Sequence, residues 1–254
     1  MEEIMTNEIV KTTNLHKIYD KNGAKPYEAL KGISFTVKQG EFVGIMGASG
    51  SGKTTLLNIM ATLDQPTSGT VQISGEDVTH LTSNQMADFR SRHLGFIFQD
   101  FNLLETLTTS ENIALPLSLQ NVKTSQIQPA VDKVAKQLGI DELLSKYPNQ
   151  LSGGQKQRVA AARALVSNPS IIFGDEPTGA LDSKNARELL DTMTSINKKG
   201  VSILLVTHDP FSASFCQRIM FIKDGKIGDE LSAQGKSRNE FYQEILNKLG
   251  TFEQ

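Results

Sequence analysis

Gly47-Ala48-Ser49-Gly50-Ser51-Gly52-Lys53-Thr54 restricts the folds open to this chain more than any other stretch. It lies between residues 41–46, a short apolar run that reads as a buried strand, and residues 54–63, an unbroken apolar run that reads as a helix. A glycine-rich turn joining strand to helix is the setting in which this pattern binds phosphate. The glycines let the backbone curl until several N–H groups and the helix N-terminus point at one anion, while Lys53 adds a point charge toward the β- and γ-phosphates. The Thr54 hydroxyl suits Mg2+, and Thr55 is grouped with it among the nucleotide-facing residues. A plain glycine turn before an exposed lysine is the alternative, and the flanking strand and helix weigh against it.

Charge excludes one class of function early. Lys plus Arg number 26 against 28 Asp plus Glu, a formal charge of -2 with a pI near 6.1, so there is no bulk electrostatic case for nucleic-acid binding. A hydrophobic fraction of 38% with 12 Phe supports a real core. The single Cys216 cannot form an intramolecular disulfide, which suits a reducing compartment. Residues 1–11 carry Glu2, Glu3 and Glu8 and do not read as a secretory leader, so the expectation is a cytosolic chain. No apolar run approaches the roughly 18–20 residues of a membrane-spanning helix, and any membrane work is expected through a partner.

Along the chain, residues 9–43 alternate short β-branched and aromatic stretches with turn material such as Asp20-Lys21-Asn22-Gly23, which predicts antiparallel strands. Strands are expected at 70–73 and 94–98 with a helix near 85–92 between them. From 108 to 166 the pattern becomes helical, with Thr108 and Glu111 at capping-box spacing. Strands at 171–173 and 202–206, with a helix over 186–196, form a βαβ alternation and imply a parallel sheet. Residues 218–222 and 226–227 around Asp224-Gly225 read as a hairpin. Ser237 and Glu240 predict the start of a last helix running to Leu249.

Two further motifs carry chemistry. Asp175 and Glu176 end the apolar run Ile171-Ile172-Phe173-Gly174, at the ligand-facing edge of a parallel sheet. In nucleotide hydrolysis the first can hold the Mg2+ shell and the second can orient or deprotonate the attacking water. An acidic strand end entering the turn Pro177-Thr178-Gly179 is the bland alternative. Leu151-Ser152-Gly153-Gly154-Gln155 precedes an Ala-rich helix, and Ser152 with Gln155 could be no more than a capping box. Two glycines at a helix start also leave N–H groups uncovered, which makes a second anion site.

With these motifs in this order, together with Gln99 after the strand at 94–98 and His208 after the strand at 202–207, the chain resembles the ATP-binding cassette ATPases over nearly its whole length. The resemblance implies an α/β fold: a P-loop NTPase core with a mixed, mainly parallel sheet, an N-terminal antiparallel β-subdomain and an inserted helical subdomain. Residues 1–254 would form a single nucleotide-binding domain, with the helical subdomain at 100–166 and a C-terminal helical extension at 228–254. It also implies a head-to-tail dimer in which Ser152, Gly153, Gly154 and Gln155 of one copy close over the ATP γ-phosphate held by Lys53 of the other. By the same matching, Tyr19 stacks on adenine and Gln99 senses the nucleotide and its Mg2+. Asp182, in Ala180-Leu181-Asp182, crosses to the partner site, and His208 contacts the γ-phosphate. Tyr19, Gln99 and His208 taken singly could equally be packing or surface residues.

The wording Gly95-Phe96-Ile97-Phe98-Gln99, Phe101-Asn102-Leu103-Leu104 and Glu111-Asn112-Ile113-Ala114-Leu115-Pro116-Leu117 resembles the subgroup serving lipoprotein release, macrolide export and antimicrobial-peptide resistance, and within it the bacitracin-type transporters. The implied partner is an integral membrane permease, which would hold the chain at the cytoplasmic face of the membrane. A docking surface for it is expected where Gln99 meets the helical insertion, lined by Phe101, Leu103, Leu104 and Leu107. A nucleotide-gated regulatory module of a membrane or cell-wall complex, or a lipoprotein-release ATPase, are the alternatives. A small-molecule P-loop kinase would leave residues 151–155 without a role.

Overall fold

The computed structural model describes residues 8–20 and 25–252. The chain opens with β1 (Glu8–Tyr19) and β2 (Tyr27–Lys38), paired antiparallel with Tyr19 opposite Tyr27. Most of the turn expected at 20–23 lies outside the described residues, as does most of the stretch 1–11. Next, β3 (Phe42–Met46), buried at every position, feeds through the glycine loop into α1 (Lys53–Met60). The helix stops short of Leu63: Thr62 takes a left-handed φ of 55° and the Leu63 N–H turns back to the Asn58 carbonyl. β4 (Ser68–Ile73) and β5 (Glu76–Asp77) then complete an antiparallel sheet in the order β2-β1-β4-β5.

A capping box at Thr82 and Gln85 starts α2 (Ser83–His93), which runs directly into β6 (Leu94–Phe98). The helical insertion follows as α3 (Thr109–Leu119), α4 (Thr124–Gln137), two short 3-10 turns (Asp141–Leu143, Pro148–Gln150) and α5 (Gly153–Leu165). The boxes expected at Thr108–Glu111 and Ser152–Gln155 both form, each side chain accepting the orphan N–H three residues on. Alternation resumes with β7 (Ile171–Asp175), α6 (Ser183–Asn197), β8 (Ser202–Thr207) and the short α7 (Pro210–Ala213). The chain ends with β9 (Arg218–Lys223), β10 (Lys226–Ser232) and α8 (Arg238–Phe252).

Asp224 and Gly225 both have positive φ, 51° and 78°, as the two-residue turn between β9 and β10 requires. The hairpin extends further than the sequence suggests. Residues 228–232, expected to begin a helical extension, instead continue β10, with Glu230 opposite Met220 and Ser232 opposite Arg218. Its mostly polar pattern gives no strand signal alone, and the pairing to buried β9 decides its form. The last helix starts only at Arg238, after the Ser237–Glu240 box.

The second sheet has the order β10-β9-β3-β8-β7-β6, parallel from β9 through β6 with β10 antiparallel at the edge. Its residues alternate between two cores. Phe42, Met46, Ile172, Ile203 and Leu205 face the insertion, α6 and α8, while Val43, Ile45, Phe173, Leu204 and Val206 face α1 and the antiparallel sheet. With both faces covered, the strands read as continuous apolar runs. Because β3, β6, β7 and β8 are parallel, the glycine loop, Gln99, the Asp175–Glu176 pair and His208 leave the sheet at the same edge, where ligands bind in such folds.

Candidate functional site

At that edge lies a cleft of about 670 Å3 lined by Tyr27, Ala29, Met46, Gly47, Ala48, Ser49, Gly50, Gly52, Lys53, Thr54, Thr55, Asp175, Glu176, Val206, His208 and Leu249. Its floor is a loop that only glycine could build at two positions. A Cβ on Gly47 would stand 2.2 Å from the Ile222 carbonyl oxygen, and one on Gly52 2.7 Å from that of Ala29. Gly52 caps α1 with a φ of 106° and offers no side-chain hydrogen bond, so first-turn N–H groups stay free for an anion. A cradle that a Cβ would fill and an uncapped helix start fit a bound phosphate chain.

Lys53 is buried, and its ammonium donates to the carbonyls of Gly47 at 2.7 Å and Ala48 at 2.8 Å. Burial lowers its pKa, partly offset by the negative charges of Glu176 and Asp175. Asp175, at the end of β7, shows the mirror effect. Burial raises its carboxyl pKa and adjacent Glu176 raises it further, against the pull of Lys53. Both groups are therefore short of solvation, and a phosphate chain with a divalent cation would relieve each. Among the described residues no three His, Cys, Asp or Glu side chains gather as a metal cluster, so an ion here would draw on Asp175, the Thr54 hydroxyl and oxygens of the ligand.

Glu176 is held in a left-handed conformation, φ 45°. Its carboxylate accepts from the Thr207 hydroxyl at 3.1 Å and the His208 backbone N–H at 3.0 Å, and meets His208 Nδ1 at 2.7 Å. A non-glycine residue in that region, fixed by three contacts from the next strand, marks a position set for orientation rather than for local stability. The His208 ring is largely exposed, so one nitrogen binds Glu176 while the rest of the ring faces the cleft mouth.

Other predicted residues lie at the cleft edge or beyond it. The Tyr19 hydroxyl donates to Asp64 at 2.9 Å and lies within hydrogen-bonding reach of Thr55, which lines the cleft, with Lys17 4.8 Å above its ring. Its cross-strand partner Tyr27, which sequence reasoning passed over, is the aromatic that lines the cleft. Gln99 packs over Gly179, where a Cβ would meet its amide group at 3.0–3.3 Å, and does not line the cleft. Asp182 caps α6, accepting from the N–H groups of Lys184 and Asn185. Ser152 and Gly153 are exposed at the start of α5, while Gly154 is buried with no room for a side chain, a Cβ falling 2.0 Å from Asn185 Oδ1. Gln155 accepts from the Ser152 N–H at 2.9 Å.

The docking surface expected at Phe101, Leu103, Leu104 and Leu107 does not form as one face. Leu103 packs on the core, Phe101 lies beside Gly153, Leu107 is half-buried and only Leu104 is well exposed. The structure instead opens an apolar groove of about 520 Å3 between α2, β6 and α3, whose walls include Leu63, Ala87, Phe96, Phe98, Leu115, Pro116 and Leu119. Its rim residues Leu63 and Leu119 are 55% and 69% exposed, high for leucine and legible in the sequence only as apolar residues at helix ends.

Residues 30–179 match the family model described as ABC transporter. The bacitracin export ATP-binding protein BceA of Halalkalibacterium halodurans is 51% identical over 243 residues, covering 95% of this chain and 96% of that protein. The macrolide export ATP-binding/permease protein MacB of Syntrophobacter fumaroxidans is 45% identical over 231 residues, 90% of this chain but 32% of that longer protein. Among solved structures, the dimeric ATP-binding cassette MJ0796 in a post-hydrolysis state bound to ADP and Pi is similar with a TM-score of 0.80 and 40% identity, over 89% of this chain and 99% of that one.

Proposed function

The chain belongs to the ABC transporter family as an ATP-hydrolysing, nucleotide-binding subunit, and from that premise we propose that it works as a head-to-tail pair that uses Mg-ATP to move a separate membrane permease. The observation that carries the reading is a division in the site. Lys53, Asp175, Glu176 and His208 share the cleft, whereas Ser152 and Gly153 lie exposed outside it with a second uncovered helix start. A second copy in inverted orientation brings that helix start to the γ-phosphate and takes up both anion sites with one nucleotide.

In this reading the glycine-loop N–H groups and Lys53 hold the β- and γ-phosphates, and adenine stacks on Tyr19. Thr54, Asp175 and Gln99 are the residues that would hold Mg2+, which when bound would neutralise charge on the phosphate oxygens. Glu176 holds the attacking water and takes its proton as the bond from the γ-phosphorus to ADP breaks. His208 steadies the γ-phosphate, and Asp182 reaches toward the partner's site. Thr207 and the His208 backbone keep Glu176 aimed, so orientation costs nothing at the moment of reaction.

The apolar groove beside Phe98 is assigned to a short cytoplasmic helix of the permease. MacB, whose name joins ATP-binding and permease functions, supports a partner of that kind. No helix among the described residues is long and apolar enough to cross a membrane, which agrees with attachment through such a partner. The name of BceA, a bacitracin export protein, points to a peptide antibiotic as the cargo. The test is to recover tagged full-length chain from native membranes, identify the co-purifying membrane protein by mass, and measure ATP turnover with and without it. Cells carrying both should survive bacitracin better than cells carrying Glu176→Gln. An unstimulated ATPase with no membrane partner would instead favour a nucleotide-gated regulatory module.

A further inference from the structure

The segment after Gln99 is fastened to α5 by three side chains that the reading above does not use. Lys156 reaches Glu105 at 3.8 Å, and fully buried Gln157 donates to the carbonyls of Phe98 at 3.4 Å and Pro177 at 2.8 Å. Arg163 makes the most directed of the three contacts. Its two terminal nitrogens donate to successive carbonyls, one to Asn102 and the other to Phe101 at 2.8 Å. A planar guanidinium fork suits two adjacent acceptors, and a lysine cannot reproduce it.

Those acceptors belong to strained backbone. Phe101 and Asn102 are consecutive non-glycine residues at φ 59° and 50°, a conformation that L residues adopt singly and rarely. Asn tolerates it, but Phe does not adopt it without support. Local hydrogen bonds hold the pair weakly, since they are turn contacts from Phe101 N–H to Phe98 and from Asn102 N–H to Asp100. The guanidinium supplies the missing restraint from a half-buried position. Arg163 and Asn102 also line the apolar groove.

We propose that Arg163 is a positioning residue for Gln99. Its fork locks the left-handed Phe101–Asn102 pair, sets where the chain leaves Gln99, and ties that glutamine to the helix whose first turn carries Gly153 and Gly154. The groove, the glutamine and the second anion site then move as one body. The inference rests on the reading of Gln99 as the nucleotide-sensing residue.

The test is steady-state Mg-ATP hydrolysis by the full chain as wild type, Gln99→Ala, Arg163→Gln and the double variant, with folding followed by thermal melting. Arg163→Gln should lower kcat about tenfold with the ATP KM within about twofold, because the cleft around Lys53 is untouched. Added to Gln99→Ala, it should cost less than about twofold more, since both act through one group. Arg163→Lys should lose about threefold and show the same non-additivity, and it decides the matter if the Gln variant does not fold. Should Gln99→Ala alone leave kcat unchanged, the reading of Gln99 is wrong and Arg163 has nothing to position. If Gln99→Ala lowers kcat but the two losses multiply, or if the Arg163 variants shift KM instead, the positioning role alone is overturned.

Discussion

Asp175 and Lys53 carry opposite charges that burial disfavours alike, and the consequence for stability has a definite sign. A carboxyl whose folded pKa lies above its unfolded value binds its proton more tightly when folded, so stability falls as pH rises through the unfolded value. At neutral pH ionised Asp175 therefore costs folding free energy. Asp175→Asn should raise Tm by about 2 °C while abolishing Mg-ATP hydrolysis. An unchanged or lower Tm would mean that the site is not held under such strain. Glu41 is the opposite case. Burial alone would raise its pKa, but the Arg218 guanidinium, bonded at 2.7 and 3.0 Å, and the Lys38 N–H outweigh burial and hold it below the ordinary carboxylate value. Its contribution is present above the unfolded pKa and is lost as pH falls through the lowered folded value. Glu41→Gln should cost about 3 kcal/mol at pH 7 in denaturant titrations, and the difference from wild type should shrink as pH falls below the ordinary glutamate range.

In the proposed coupling to a permease, the helical insertion is the element whose surface matters most. Its groove is walled by α2, β6 and the C-terminal half of α3, with Leu63 from the turn after α1 on the rim, so a charge placed on the rim should repel an apolar partner helix without disturbing the core. Leu119→Glu should abolish co-purification with the permease and leave ATP binding intact, whereas Leu104→Glu, outside the groove, should not. Permease recovered at wild-type yield with Leu119→Glu would move the docking site elsewhere. The capping box at the start of α3 has a measurable weight as well. Thr108→Ala removes an acceptor for the Glu111 N–H and a donor to its carboxylate, a loss of about 1 kcal/mol by chemical denaturation.

For the whole molecule, the separation of the second helix start from the cleft predicts assembly that depends on nucleotide. Glu176→Gln should bind ATP, turn over at least about a hundredfold more slowly and elute as a dimer with Mg-ATP but as a monomer with ADP. Elution as a monomer with ATP would leave Ser152 and Gly153 without the assigned role. Identity of 51% over 95% of the chain makes the same architecture the starting point for BceA-like relatives, so the experiment transfers to them directly.

What the sequence determined alone was whatever is written in contiguous residues. The phosphate loop between strand and helix, the capping boxes at Thr108, Ser152 and Ser237, the acids ending β7 and the tight turn at Asp224-Gly225 depend on spacing along the chain, and local backbone chemistry enforces them wherever the chain folds. Tertiary structure decided what depends on neighbours distant in sequence. β10 runs to Ser232 because buried β9 offers it a ladder, although its own pattern is polar. Tyr27 joins the cleft wall because the register of β1 against β2 sets it directly opposite Tyr19, so both rings lie on one face of the sheet. Leu63 and Leu119 become one groove only when the turn after α1 and the end of α3 are brought beside α2 and β6. Arg163 acquires two carbonyl acceptors 61 and 62 residues away only because α5 packs along β6, a convergence that no periodicity within either segment encodes.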